Sequence, residues 1–217
     1  AGGADNDGFK NDTWRSTDGG TIWTCVNASA EWPARSGHTS VALADGSIVL
    51  AGGQGDSDRL NDTWRSTDNG ITWTCVNASA GWSARIFPSS VALADGSIML
   101  MGGQEDGSFI PLGDTWRSTD NGATWTQLPN AGWSARFFLS SVALRDGSIV
   151  LMGGMGEGPL NDVWRLQPAG STAQNPTHEY TAPGTYSVAL QAYNNGGYNS
   201  THKVDYITVV IAPTVTG

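Results

Sequence analysis

With 217 residues, a formal charge of −9 and only two lysines (Lys10 and Lys203), the chain has no basic stripe to neutralise phosphates. That excludes nucleic acid and disfavours anionic membrane surfaces as partners. Its 29 glycines, its lack of Ala/Leu/Glu/Lys runs and its short Val/Ile/Leu/Trp segments set between Gly, Asn, Asp and Ser clusters exclude a helical fold and point to an all-β one. No apolar run reaches the length of a membrane span, and the chain opens without a signal-peptide pattern, as a processed chain would.

The first residues, "AGG", read as the bare end of a strand. From Asn11 a unit begins that recurs from Asn61 with about thirty of forty positions identical. A third copy starts at Asp114 and a fourth, "NDVWRL", at Asn161 before breaking off. Each unit holds four strand-like pieces: "DTWRS", "TWT", "SVAL" and "SIVLAGG" or its variant. Asp45-Gly46, Asp95-Gly96 and Asp146-Gly147 lie between two apolar runs, the signature of a tight hairpin. Four short antiparallel strands per unit of forty to fifty residues is the pattern of a β-propeller blade.

Between the first two pieces stands a nine-residue motif, "STDGGTIWT", "STDNGITWT" or "STDNGATWT". Its repeated residues are Ser16, Asp18, Gly20 and Trp23; Ser66, Asp68, Gly70 and Trp73; Ser118, Asp120, Gly122 and Trp125. The Asp accepts backbone N–H groups across a turn, the Gly takes a positive φ, and the Trp buries its ring against a neighbouring blade. A structural turn is the expectation, in preference to a substrate-binding carboxylate.

These nine residues resemble the Asp-box of sialidase-type propellers. The "SVAL-DGSI-VLMGG-NDVW" half resembles a Kelch repeat, whose double glycine ends a strand. The resemblance implies a hairpin turn between the third and fourth strands of each blade. Propeller-like repeats are expected over residues 1–168, with units starting near 11, 61, 114 and 161, then a linker at 169–174. Residues 175–212 contain "NPTHEYTAPGTYSV" and "DYITV", which resemble the second half of a PKD domain, an immunoglobulin-like sandwich common on archaeal and bacterial surface proteins. Alternation in "TYSVALQAYN" is that of a half-buried strand, with Tyr180, Tyr186, Val188 and Leu190 as expected core and His178 as a structural residue.

The expected fold is thus all-β: four-stranded propeller-like repeats forming an incomplete ring, plus a C-terminal partial β-sandwich. The first blade lacks strands, and so does the last. Missing strands could come from a longer parent chain, from the PKD-like segment folding back, or from a neighbouring copy by strand complementation. A head-to-tail contact of the last kind generates a filament.

The copies differ most just before "SVAL", where Ser36-Gly37-His38 becomes Ile86-Phe87-Pro88 and then Phe137-Phe138-Leu139. Ile86, Phe87, Phe137, Phe138 and Leu139 are candidates for a protein interface, with packing between blades or in the propeller centre as the competing role. Cys25 and Cys75 occupy equal places near the outer strands of consecutive blades, so a bond within the chain, a bond between chains or two free thiols all stay open. Sequons at Asn11, Asn27, Asn61, Asn77 and Asn199 favour an exported chain carrying N-glycans, placed at the cell surface or outside the cell.

Catalytic constellations are absent from the pattern. The arginines recur with the blade: Arg15, Arg65, Arg117 and Arg165 in "WR", and Arg35, Arg85 and Arg136 in "AR". Packing and ion pairing are expected of them, with an anion site formed by the "AR" set near the axis as the alternative. The tyrosines all lie at Tyr180 or beyond, so no Tyr/Glu nucleophile pair sits in the repeats. Carboxylates for hydrolysis would have to come from Asp5, Asp7, Asp56, Asp58, Glu105 and Asp106, all in variable loops. Of these, Asp5, Asp7, Asp56 and Asp58 are weak Ca²⁺ candidates without a full ligand set, and His38, His178 and His202 lack metal-ligand spacing. No cofactor is expected. The sequence reads as a non-catalytic extracellular structural protein that self-associates head to tail. A carbohydrate- or protein-binding adhesion module is the alternative, and a sialidase-like glycosidase is the weakest reading.

Overall fold

The computed structural model describes residues 1–105, 110–144, 147–166, 177–180, 182–194 and 197–210. Among them there is no helix. Strands β3 (Thr13–Arg15) and β4 (Thr24–Asn27) make a two-stranded sheet. Strands β5 (Thr39–Ala42), β6 (Ile48–Ala51), β7 (Thr63–Ser66) and β8 (Thr74–Asn77) make a four-stranded one in that order. A second complete sheet runs β10 (Ser89–Ala92), β11 (Ile98–Met101), β14 (Thr115–Ser118), β15 (Thr126–Gln127). The last repeat has three strands, β16 (Ser140–Ala143), β17 (Ile149–Met152) and β18 (Val163–Leu166). All pairs are antiparallel and in the same register from sheet to sheet; Leu50 faces Trp64 as Leu100 faces Trp116 and Leu151 faces Trp164. The all-β, propeller-like expectation holds; two sheets have four strands, and among the described residues the first repeat contributes two strands and the last three.

Short strand pairs extend the loops of single repeats. β1 (Gly3–Asp5) pairs with β2 (Gly8–Lys10), and β12 (Gln104–Glu105) lies between β13 (Ile110–Pro111) and β9 (Arg85–Ile86). The sequence did not announce these short pairs, because strands of two or three residues carry no periodicity. The first strands of successive blades lie side by side, stitched by hydroxyl pairs: Thr39 Oγ1 to Ser90 Oγ at 2.5 Å and Ser89 Oγ to Ser141 Oγ at 2.7 Å.

The core lies between blades. Leu50, Leu100 and Leu151, at one position of the second strand, are 0%, 0% and 1% exposed. Burying such a side chain contributes roughly 1.5–3 kcal/mol. Trp32, Trp82 and Trp133, which follow the outer strand of each repeat, are buried against the following blade. The double glycines close the second strand as expected, and backbone geometry demands them. At Gly102 (φ +59°) a Cβ would sit 2.5 Å from the Arg136 carbonyl oxygen, and at Gly53 (φ +104°) one would sit 2.8 Å from that of Ser36.

Beyond the blades, β19 (Gly184–Asn194) and β20 (Gly197–Val209) form a long hairpin with a register shift between Tyr186 and Val188. It joins no other sheet among the described residues. The linker at 169–174 and part of the segment expected to resemble a PKD domain lie outside the described residues. Tyr180, Tyr186 and Val188 are half-buried rather than core. His178 stands edge-on to Tyr180 with ring centroids 4.6 Å apart, and Tyr180 in turn contacts Tyr186 at 4.6 Å. The Leu190 side chain lies outside the described residues.

Candidate functional site

The repeated nine-residue motif forms the turn from third to fourth strand in all three blades that carry it. Ser66 Oγ donates to Asp68 Oδ1 at 2.8 Å and accepts the Gly70 N–H at 2.8 Å. Asp68 Oδ1 accepts the N–H groups of Ile71 (3.1 Å) and Thr72 (2.9 Å), and Oδ2 accepts the Thr72 hydroxyl at 2.6 Å. These bonds, the Thr72 hydroxyl first, hold the carboxyl down at about 2. Ser118, Asp120 and Gly122 repeat the arrangement, as do Ser16, Asp18 and Gly20. Gly20, Gly70 and Gly122 have φ of +91°, +86° and +90°, where glycine has no steric penalty.

What differs is the surroundings. Trp73 is 4% exposed, set edge-on to Trp32 at 6.1 Å; its indole N–H donates to the Gly70 carbonyl at 3.2 Å and its backbone N–H to Glu31 Oε2 at 3.0 Å. Trp125 stands edge-on to Trp82 at 6.3 Å. Each of these turns also docks on the blade before it. Asn27 Nδ2 donates to the Ile71 carbonyl and Asn77 Nδ2 to that of Ala123, both at 2.8 Å, and Thr63 Oγ1 donates to the Gly122 carbonyl at 2.9 Å. Trp23, in the first copy, is 58% exposed and Ile22 is 67% exposed. A groove of about 340 Å³ beside this free turn is lined by Arg15, Thr17, Asp18, Ile22, Thr24 and Val26. Its carboxylate, Asp18, is already engaged by the turn.

The "AR" arginines do not form an anion site. Arg35, Arg85 and Arg136 each have fully buried side chains, and each grips an Asp just before the third strand of its own blade in bidentate fashion. The distances are 2.6 and 2.8 Å to Asp62, 2.6 and 2.8 Å to Asp114, and 2.5 and 2.8 Å to Asp162. Each also donates at 2.9 Å to the first carbonyl of the double glycine. Their charge and donors are spent inside the blade. Sequence reasoning missed the partner aspartates, although they recur as faithfully as the arginines do. In the first blade Asp12 keeps the Trp14 indole bond at 2.7 Å but has no guanidinium partner among the described residues. The "WR" arginines lie further out: Arg65 and Arg117 pair with Asp45 and Asp95 at 2.6 Å.

The variable positions gather at the rim. Phe87, Phe137 and Phe138 form an aromatic cluster, with centroids of Phe87 and Phe138 4.0 Å apart and of Phe137 and Phe138 5.0 Å apart. Phe138 is 57% exposed, whereas Ile86 and Leu139 are buried and belong to the packing. Phe87 and Phe138 have φ of +59° and +55°, at the position where the first complete blade has Gly37 (φ +61°). A bulky side chain there is strained. Arg59 spans the neighbouring loop, donating to the carbonyls of Gln104 and Glu105.

Four sequon amides have partners. Asn11 Nδ2 donates to the Ala30 carbonyl at 2.9 Å and Asn61 Nδ2 to that of Trp82 at 3.2 Å, beside the two inter-blade bonds of Asn27 and Asn77. Asn199 lies on β20 with its side chain outside the described residues. Cys25 and Cys75 are free and exposed on the outer strands. Asp5 bridges Lys10 at 3.0 Å and accepts the Asp7 N–H, while Asp7, Asp56 and Asp58 are exposed. Asp106 lies outside the described residues. Among the described residues no His, Cys, Asp and Glu side chains group as metal ligands. His38 is half-buried. Its imidazole is pushed down to about 4, by burial first and then by the nearby amino terminus and Arg35.

Comparison with known families matches residues 1–201 to the KLHDC2/KLHL20/DRC7 Kelch-repeats domain. No curated protein matches the chain at a significant level.

Proposed function

Because this chain belongs to the Kelch-repeat family, whose domains are protein-interaction modules and generally non-catalytic, we propose that its binding partner is another copy of itself. In this reading the protein is a non-catalytic, self-assembling subunit of an extracellular filament or surface coat, with its open sheets completed by strands from a neighbouring copy. The observation that carries it is the unpaired sheet edges among the described residues. Beside the two four-stranded sheets, β18 ends the three-stranded sheet β16–β17–β18 with no further partner strand among the described residues. The β19–β20 hairpin offers two unpaired edges among the described residues. Open edges are costly and recruit strands from other chains. The extracellular setting rests on the sequons; an N-linked sugar replaces one amide hydrogen and leaves the other for the bonds described above.

Electron microscopy of native, undenatured material tests the proposal. Fibres or sheets of regular repeat are the expected result, and isolated single-chain particles at every concentration would refute it. A second reading, an adhesion module for another protein, is favoured by the exposed Phe138 within a strained aromatic cluster among variable loops.

A further inference from the structure

The sequons of the first two repeats fall into two kinds, and the fold treats the kinds oppositely. Asn11 and Asn61 stand two residues before the third strand, in Asn-Asp-Thr; Asn27 and Asn77 close the fourth strand, in Asn-Ala-Ser. An N-linked sugar needs an amide hydrogen to replace, space beyond it, and a reachable hydroxyl two residues on.

The Asn-Asp-Thr pair fails each requirement. Asn11 Nδ2 is ringed by the Ala30 carbonyl at 2.9 Å, Ser29 Oγ at 3.4 Å and the Trp32 carbonyl at 3.5 Å. Asn61 Nδ2 lies 3.3 Å from Ser79 Oγ and 3.2 Å from the Trp82 carbonyl. An amide nitrogen has two hydrogens, and these acceptors engage both. A sugar carbon on that nitrogen would displace a hydrogen aimed into the loop. The backbone closes the same cage: the Asn11 carbonyl accepts the Ala30 N–H and the Asn61 carbonyl that of Ala80, both at 2.9 Å. Downstream, Thr13 is 5% exposed and Thr63 0%, and Asp62 is gripped by Arg35.

The Asn-Ala-Ser pair meets each requirement. Asn27 Nδ2 has one acceptor, the Ile71 carbonyl, and Asn77 Nδ2 has one, the Ala123 carbonyl. The second hydrogen of each is left for a sugar. Asn27 Oδ1 accepts the Ser29 N–H at 2.9 Å and Asn77 Oδ1 that of Ser79 at 2.8 Å, so an Asx turn already fixes each side chain. Ala28, Ser29, Ala78 and Ser79 are exposed. The third copy separates the two roles. It has Gly113 in the place of Asn61, and its "QLPNAGW" is one residue shorter than "CVNASAGW" and holds no sequon. The caging Asn and the Ser it bonds are lost together, as the two sides of one contact would be.

We infer that the fold presents Asn27 and Asn77 as acceptors of N-linked sugar and withholds Asn11 and Asn61, whose amides brace the loop between blades. In the transfer, Nδ2 bonds to the sugar C1 and gives up one proton. The C1–O bond to a lipid-phosphate sugar donor breaks, and the phosphate leaves with the electron pair. The inference deepens the extracellular reading and rests on it, because only an exported chain meets the transferase.

Glycopeptide mass spectrometry tests it on the folded 217-residue chain, secreted from a eukaryotic host behind a cleavable leader so that every sequon meets a transferase. Sugar on Asn27 and Asn77, with bare Asn11 and Asn61, is the expected result. Chains that receive sugar on Asn11 or Asn61 before folding lose the cage and should stay in the retained fraction. Ser29→Ala and Ser79→Ala should each remove one sugar chain from the intact mass, since both keep the backbone N–H that Oδ1 binds. Asn61→Gln should leave the sugar count unchanged and lower the secreted yield several-fold. Folded, secreted chain with sugar on Asn11 or Asn61, or bare at Asn27 and Asn77, would overturn the inference. Native material free of N-linked sugar, beside a secreted chain with the expected pattern, would overturn the extracellular reading and leave the acceptor geometry standing.

Discussion

Arg85 and Asp114, twenty-nine residues apart, meet in a bidentate ion pair at 2.6 and 2.8 Å with the guanidinium wholly buried. The pair ties the entry of the first strand to the start of the third, and the remaining Arg85 bonds go to the carbonyls of Ser83 and Gly102. Removing one partner strands a charge in the interior. Asp114→Asn is therefore expected to lower unfolding free energy by roughly 3–5 kcal/mol. Asp45→Asn, which breaks the partly exposed pair with Arg65, should cost no more than about 1 kcal/mol. Chemical denaturation of the two variants checks the contrast.

The three motif tryptophans should behave unequally despite their equal sequence. Trp73→Ala removes a ring buried against Trp32 and Leu50, and a loss of about 3–5 kcal/mol is expected. Trp23→Ala, at a ring 58% exposed, should change the stability of the single chain by under about 1 kcal/mol. Thermal unfolding at a concentration where the chain is single separates the two.

Acid should act in two stages with different owners. His38, lowered from 6.5 to about 4, binds fewer protons folded than unfolded between those values. Stability is therefore lost as pH falls from about 6.5 to about 4 and is flat in this group below that. His38→Gln should remove this first stage. Asp68, lowered from 3.8 to about 2, contributes stability that is complete above its unfolded value and lost as pH falls through the folded one. Asp114 shares the direction: burial pushes it up, but the Arg85 bonds and charge and the Trp116 indole hold it lower still. The second stage, between about pH 4 and 2, should survive in His38→Gln. Denaturation midpoints measured across this range report both.

Gly102→Ala places a methyl group 2.5 Å from the Arg136 carbonyl oxygen at a φ of +59°. The left-handed backbone alone costs an alanine about 1–2 kcal/mol, and the clash must shift a strand end that also receives Arg85. A loss above 2 kcal/mol is expected. Gly132→Ala, at φ +86° with nothing within 4 Å of its Cβ, should show the conformational part only, about 1–2 kcal/mol.

Much of this architecture is written locally. Alternation in "SVAL" and "SIVL", the Asp-Gly turns, the double glycine and the Ser-x-Asp-x-Gly turn each act within a few residues. Their repetition therefore declared the blades. Pairings across a whole blade were less legible. Arg85 was visible as a repeated arginine, but only the fold brings Asp114 to it, and that contact turns a candidate anion site into an internal clamp. Likewise Ile86, Phe87, Phe137, Phe138 and Leu139 stood out as one apolar cluster by difference between copies. The fold divides them, burying Ile86 and Leu139 and leaving Phe138 at the surface.

The sequence by itself determined the repeating unit, because strand alternation and turn chemistry are short-range and survive copying. Only the tertiary structure decided what each copy meets. Ser16–Trp23 and Ser66–Trp73 fold into the same turn, yet one ring is exposed and the other buried, since burial depends on which blade stands alongside. That neighbour is a property of the array, and near-identical residues cannot encode it.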